Sequence, residues 1–586
     1  MCGLAAILAQ GGVDAAQLAR VGAAMAMRGP DGAGQWLAAD GVVGLAHRRL
    51  SIIDLSDAGA QPMASADGRL VIVFNGEIYN YRELRAECEA AGQVFRSTSD
   101  TEVLLALYAR LGTAMLDRLV GMFAFALWDV GRRGLLLARD PFGIKPLYVA
   151  DDGKTLRTAS QVKALLAGGG IDTRPEPAGH VGFFLWGHVP EPHTLYRGIR
   201  ALPAGTWLWA DADGGRKTGR FFDLAGEFAS ARSTSVTDSG ERLAEALRQS
   251  MRRHLIADVP VGVFLSGGLD STTLTALAAE QAAGAVRSVT LGFDEFVGTP
   301  RDEVPLAEAV AAHYHTDHAT FRIAAADFAA AKDSILAAMD QPSVDGVNTW
   351  LVARAARSRG LKVALSGLGG DELFGGYDTF RRVPRLAALP RLGPLGKLAR
   401  IASQGWIGRF APPKAAGLLE YGGGWGGGYL LGRGLFMPWE LAGVLDGELA
   451  REGLRQLAPE AGLDALVAGI ASPRLKVGAL EIAGYMRNQL LRDSDWAGMA
   501  HGVEIRVPLV DVELFRALLP LLAGPNPPSK RDMAATARPP LPAAVLERPK
   551  TGFFVPITQW LGQPNLRAWA RTVHKAAPLV PAEILA

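Results

Sequence analysis

The run Val259–Leu265, followed at once by the turn SGGLDS (Ser266–Ser271) and the apolar stretch TTLTALAAE, constrains the fold more tightly than any other segment. An apolar run that ends in a glycine turn and opens a helix is half of a strand–helix–strand unit. The pattern recurs. Ser288–Asp294 reads as a strand, and a strand over Lys362–Leu365 ends in a second glycine turn, SGLGGDELFGGY (366–377). An amphipathic helix, Glu241–Leu255, precedes the first strand. Strands alternating with helices, with turns at the strand C-termini, predict an α/β doubly wound parallel sheet whose ligands sit at those ends.

That sheet cannot account for the whole chain. At 586 residues the sequence exceeds the ~250–300 at which single cores stop growing, so a second domain is expected. Up to about residue 165 the chain shows short apolar runs between Gly, Asp and Asn turns. Val42–Ala46, Leu70–Phe74 and Leu135–Ala138 read as strands, Tyr81–Ala91 and Thr101–Leu111 as helices. Pro-rich and then polar stretches follow, and SARSTSVTDSG is the best linker. The division is 2–218, a linker over 219–238, and 239–586. GGGWGGG (422–428) reads as a loop.

Charge and cysteine usage narrow the function. A net charge of +2, with basic residues scattered, argues for no nucleic-acid partner. Two cysteines, Cys2 and Cys88, suit neither a disulfide framework nor a zinc site. No apolar run approaches the ~20 residues of a span, and the N-terminus lacks a signal peptide's basic region. A cytoplasmic protein with no membrane partner is expected.

Cys2 is the first candidate for chemistry. Removal of Met1 before a small residue leaves a cysteine with its own α-amine, whose pKa of ~7.7–8.0 lets it take the thiol proton. The resulting thiolate is a competent nucleophile. Polar clusters follow where strands should end. Arg49 offers a carboxylate fork, Asp100 an ammonium partner, and Asn75 with the Gly76 backbone an oxyanion hole.

MCG, RGPDG (28–32), AHRRLSIIDL (46–55), FNGEIYNYRELR (74–85), SDTEVLL (99–105), GMFAFALWD (121–129) and RDPFGIKPLY (139–148) resemble class II glutamine amidotransferases. More narrowly, they resemble the glutaminase domain of asparagine synthetases. The resemblance implies an α+β N-terminal-nucleophile (αββα) sandwich in which Cys2 attacks the glutamine side-chain amide and releases ammonia. It assigns glutamine binding to Arg49, Leu50, Ser51, Ile52, Ile53, Asn75, Gly76, Glu77 and Asp100.

In the second half, Ser266, Gly267, Gly268, Asp270 and Ser271 form a glycine turn at a helix N-terminus, which is an anion site. It lacks the Walker lysine, so it is a different phosphate loop. Asp270 inside such a site requires a metal bridging it to phosphate oxygens. The motif resembles the pyrophosphate loop of enzymes that cleave ATP to AMP and pyrophosphate. With SGLGGDELFGGY, SDWAGMAHGVEIRVPLVD (494–511) and RPKTGFFVPITQWL (548–561), it resembles the synthetase domain of asparagine synthetases. That implies ATP binding by Leu265, Leu291, Ser366 and Gly367, Mg²⁺ at Asp270 and Asp371, and Lys530 at the phosphates and activated acyl group. Aspartate is the implied acceptor, and a homodimer is left open.

Two positions depart from the family pattern. Leu368 stands where the acyl-adenylate site of the best-characterised members has a glutamate, and Trp496 where Lys or Arg is usual. Leucine neither titrates nor accepts a hydrogen bond. Either another carboxylate (Glu372, Asp493 or Glu504) takes over the task, or the acceptor is another acid, such as a sugar carboxylate in surface polysaccharide synthesis.

Overall fold

The computed structural model describes residues 2–233, 238–282, 284–407, 413–549 and 554–561. In the N-terminal domain two six-stranded antiparallel sheets pack face to face. One runs in the order Arg200–Ala201, Tyr148–Asp151, Thr155–Ala159, Gly3–Ala9, Val43–Arg49, Gly32–Leu37. The other runs Arg216–Arg220, Thr206–Asp211, Gly134–Arg139, Gly121–Asp129, Leu70–Ile78, Met63–Ala64.

Alternation of side chains along each strand builds the layers. Leu4, Ala6 and Leu8 meet Val71, Val73, Ala124 and Ala126 between the sheets. Ala5 and Ile7 face Leu18, Val21 and Leu165 of the outer helices on one side. Ile72 and Phe74 face Leu104 and Leu107 on the other. Strands covered on both faces read as unbroken apolar runs, and these do. The result is the helix–sheet–sheet–helix sandwich of N-terminal-nucleophile enzymes.

The C-terminal domain holds a five-stranded parallel sheet ordered Asp317–Ile323, Arg287–Phe293, Val261–Phe264, Val363–Leu365, Glu504–Arg506. Chain order reverses around Val261–Phe264, and a crevice opens there at the strand C-termini, where such sheets bind ligands.

Two sequence expectations change. The stretch 219–238 is not a bare linker where it is described. Its first residues finish strand Arg216–Arg220, and helix Leu224–Ser230 buries Leu224 and Phe228 in a core that also contains Tyr79, Phe142, Leu509 and Phe515. Both domains therefore share one apolar cluster; residues 234–237 lie outside the described residues. GGGWGGG, expected as a loop, starts helix Trp425–Arg433. A Cβ on Gly426 would lie 2.2 Å from the Glu460 carbonyl oxygen, and one on Gly427 would lie 1.9 Å from that of Tyr421. These glycines serve close packing, not looseness.

Candidate active sites

Cys2 lies just before strand Gly3–Ala9 and is buried, with 8% of its surface exposed. Its main-chain nitrogen donates to Asn75 Oδ1 at 2.8 Å, and Sγ lies 3.9 Å from the Leu50 carbonyl oxygen. Asn75 Nδ2 is buried without a partner among the described residues, a donor left over beside the sulfur-bearing residue. A Cβ on Gly76 would lie 2.1 Å from the Met122 carbonyl oxygen, so only glycine fits the strand there. Burial pushes the Cys2 thiol up, while the chain's positive amino terminus and the Leu50 contact pull it back.

Asp100 opens helix Asp100–Leu111, where Ser99 caps the first turn by accepting from the Thr101 amide. Burial raises its pKa to about 6, although the Ile78 amide donates to its Oδ2 at 3.0 Å. The Arg49 guanidinium donates to the carbonyl oxygens of Ser56, at 2.7 Å, and Asp54. Gly59 permits this, since a Cβ there would meet Arg49 Nη2 at 2.2 Å.

A narrow cavity of about 30 Å³ joins Cys2, Arg49, Leu50, Ile52, Ile53, Gly76, Glu77 and Asp100. Ser51 and Asn75 are not among its lining residues; the Ser51 amide donates to Asp31 Oδ2. The lining adds Gly59, Gln61, Phe74, Ser99 and Thr101, which the sequence reading missed. Gln61 Nε2 donates to Thr101 Oγ1 at 3.2 Å, and the Phe74 amide donates to Gln61 Oε1 at 2.6 Å.

The C-terminal domain reaches this site directly. Arg28 donates from Nε to the Cys2 carbonyl oxygen at 3.0 Å, and its other nitrogens grip Asp495 at 2.7 and 2.9 Å. Arg506 pairs with Glu504 at 2.6 Å and lies 3.5 Å from Glu77. Burial, reinforced by the Glu504 charge, pushes Glu77 up. Burial also opposes ionisation of Glu504, but the amino terminus, Arg506 and Lys145 prevail and hold it at about 2.

The second site is a cavity of about 360 Å³ at the crevice of the parallel sheet. It brings together Leu265, Ser266, Gly267, Gly268, Asp270, Ser271, Leu291, Ser366, Gly367, Leu368, Asp371 and Lys530. Ser271 Oγ accepts from the Ser266 amide at 3.2 Å, which tightens the first glycine turn. A Cβ on Gly370 would lie 2.5 Å from Asp270 Oδ1, so the two glycine turns press together. Lys530 Nζ stands 2.5 Å from both Asp270 Oδ2 and Asp371 Oδ1. Burial disfavours its charge, yet the two carboxylates hold its pKa above the usual lysine value.

Ser494 and Arg548, the first residues of two of the motifs, also line this cavity, as do Glu303, Asn348 and Thr349, which carried no motif signal. Glu303 is 3.0 Å from Arg548. None of the three carboxylates weighed as substitutes for the family glutamate lines it. Glu372 accepts from the Tyr377 hydroxyl at 3.0 Å, Asp493 from Ser343 at 2.7 Å and the Trp496 indole at 2.8 Å, and Glu504 faces Arg506. Trp496 is buried, so its ring fills core rather than cavity.

A sandwich of the N-terminal-nucleophile fold, with Cys2 buried beside Asn75, joined to an α/β domain with a glycine-turn crevice, fits a two-site amidotransferase. Residues 1–222 match the glutamine amidotransferase domain family, and residues 242–586 the asparagine synthase family. The chain belongs to the glutamine-hydrolysing asparagine synthetase family, and its chemistry is ATP-using, glutamine-dependent amidation. It is 36% identical to the Mycobacterium tuberculosis protein named "Putative asparagine synthetase (glutamine-hydrolyzing)", over 97% of this chain and 90% of that one. It is 31% identical to asparagine synthetase (glutamine-hydrolyzing) 1 of Bacillus subtilis, over 93% and 84%. A solved glutamine phosphoribosylpyrophosphate amidotransferase from B. subtilis is similar over 55% of this chain and 81% of its own, at 17% identity and a TM-score of 0.30.

Proposed function

We propose that this protein is a cytoplasmic asparagine synthetase in which Cys2 takes ammonia from glutamine and the C-terminal site uses it to amidate aspartate. The observation that carries the first half is the Cys2–Asn75 pair, one amide oxygen on the nucleophile's nitrogen and one amide N–H unspent. With Met1 removed, the Cys2 amine accepts the thiol proton, and Asn75 Oδ1 keeps that amine oriented. Sulfur attacks the glutamine amide carbon; Asn75 Nδ2 and the Gly76 N–H donate to the oxygen as it becomes negative. The amine returns the proton to the leaving ammonia, and water then releases glutamate from the thioester. Arg49 would hold the substrate carboxylate and Asp100 its ammonium.

In the second site, the turn Ser266–Ser271 would cradle the ATP phosphates, with Leu265 and Leu291 beside the base. Two carboxylates on opposed turns, Asp270 and Asp371, are the hard oxygen donors that magnesium takes alongside phosphate oxygens. Bound there, the ion would neutralise charge on the departing pyrophosphate. Lys530, beside both carboxylates, would reach the same phosphates and the acyl oxygen. The aspartate carboxylate displaces pyrophosphate, and ammonia then displaces AMP from the acyl-adenylate. Retention of Asp371, Lys530 and the 503–511 segment supports aspartate.

Leu368 in the cavity wall favours a second reading, with the same chemistry on a different carboxylate, such as a sugar acid. The test is incubation with glutamine, ATP–Mg²⁺ and aspartate, followed by assay of asparagine and pyrophosphate. Asparagine formed in step with pyrophosphate supports the first reading; a working glutaminase with no aspartate-dependent pyrophosphate transfers support to the second.

A further inference from the structure

The helix Pro394–Ile407 sits inside out on the C-terminal domain. Gly396 and Arg400 face the protein. A Cβ on Gly396 would lie 2.4 Å from the Leu419 carbonyl oxygen, and Arg400 is buried, 2.5 Å from Glu420 and stacked 4.6 Å over the Trp439 ring. Leu395, Leu398 and Ile401 are instead 66, 63 and 57% exposed, and Leu392 just before them 42%. Residues three apart on a helix share a face, so these side chains form one outward aliphatic stripe. A helix that buries its arginine and displays its leucines has an apolar face without a partner among the described residues.

The surrounding charge selects the occupant. From Thr379 to Leu419 the sequence carries eight Arg and Lys and no Asp or Glu, in a chain whose totals, 61 and 59, nearly balance. Arg381, Arg382, Arg385 and Lys397 of this stretch are exposed. A second copy fits poorly, because a two-fold contact sets a surface against itself and would oppose like charges. An exposed apolar stripe with Lys397 on its own helix, in a stretch of sequence that has no acidic residue, matches the boundary of an anionic bilayer, where acyl chains meet phosphates.

We propose that the helix Pro394–Ile407 docks the protein peripherally on an anionic lipid surface, with Leu395, Leu398 and Ile401 in the acyl boundary and Lys397 at the lipid phosphates. No helix among the described residues is long and apolar enough to cross a membrane, and a helix lying in the interface needs no such length.

The test is sedimentation of the full chain with vesicles of equal parts phosphatidylglycerol and phosphatidylcholine, against pure phosphatidylcholine, at about 0.1 M and about 0.5 M salt. Binding to the anionic vesicles is expected to fall at least about tenfold on pure phosphatidylcholine, at the higher salt, and in the triple variant Leu395→Ser, Leu398→Ser, Ile401→Ser. Lys397→Glu should weaken binding in the same direction. Glutamine hydrolysis, unchanged in these variants, reports that the fold persists. Wild type left in the supernatant with anionic vesicles would overturn the proposal, as would a triple variant that sediments like wild type. A triple variant that only turns a dimer into a monomer would assign the face to self-association instead.

Discussion

Asn75 accepts from the Cys2 nitrogen through Oδ1 and keeps Nδ2 buried with no partner among the described residues. The two halves of the amide can be separated. Asn75→Asp keeps the acceptor and removes the donor, so glutaminase kcat should fall about 10²–10³-fold while ammonium-dependent synthesis persists. A steady-state assay of both reactions checks this, and equal loss in both would point to misfolding. Asp100 makes the companion case. Its pKa of about 6 means that its carboxylate, which the proposed function assigns to the substrate ammonium, is charged above that pH and neutral below it. The kcat/KM for glutamine should therefore drop as pH falls through about 6, and Asp100→Asn should lose activity at every pH and flatten that limb. Cys2 was legible through its place after a removable Met1, and Asp100 through the turn that opens its helix; Asn75 was read at a strand end, although its strand runs on to Ile78. Gln61 and Glu303 were not legible, since only tertiary packing brings them to their cavities.

At the scale of elements, three strands of the two antiparallel sheets and the three central strands of the parallel sheet read as apolar runs, while others, such as Gly32–Leu37, Thr206–Asp211 and Asp317–Ile323, did not; the three antiparallel ones were read too short. Leu70–Phe74 was read for a strand that continues through the polar residues Asn75 and Glu77 to Ile78, because polar side chains at a site interrupt the apolar pattern without interrupting the ladder. Composition misled at 422–428, where glycine marks close packing inside a helix. Gly427→Ala places a methyl 1.9 Å from a carbonyl oxygen, and the accommodation should cost about 1–3 kcal/mol, measurable by denaturant unfolding. An unchanged midpoint would mean that the helix seats more loosely than described. The paired glycine turns of the second site are bound by a similar constraint, since Gly370 leaves room for Asp270.

For the whole molecule, the notable feature is how completely the C-terminal domain closes the N-terminal site. Arg506, on the last strand of the parallel sheet, is buried against Glu504 and Glu77. Removing it leaves Glu77 and Glu504 buried without that guanidinium, so Arg506→Ala should destabilise the fold by about 3–5 kcal/mol and, from the C-terminal domain, impair glutamine hydrolysis. Thermal unfolding of the variant checks it; a wild-type midpoint would show the pair to be dispensable. Nothing in the sequence announced that contact, which joins residues far apart in the chain. The same closeness is what delivery of ammonia between two sites requires. The most direct measurement of the central claim is transfer of label from [amide-¹⁵N]glutamine, with ATP–Mg²⁺ and aspartate, read by mass spectrometry of the product. The account predicts ¹⁵N-asparagine from wild type, none from Cys2→Ala, and restored synthesis when that variant receives ¹⁵N-ammonium. Label entering asparagine in Cys2→Ala from glutamine, or no labelled asparagine from an active wild-type glutaminase, would contradict it.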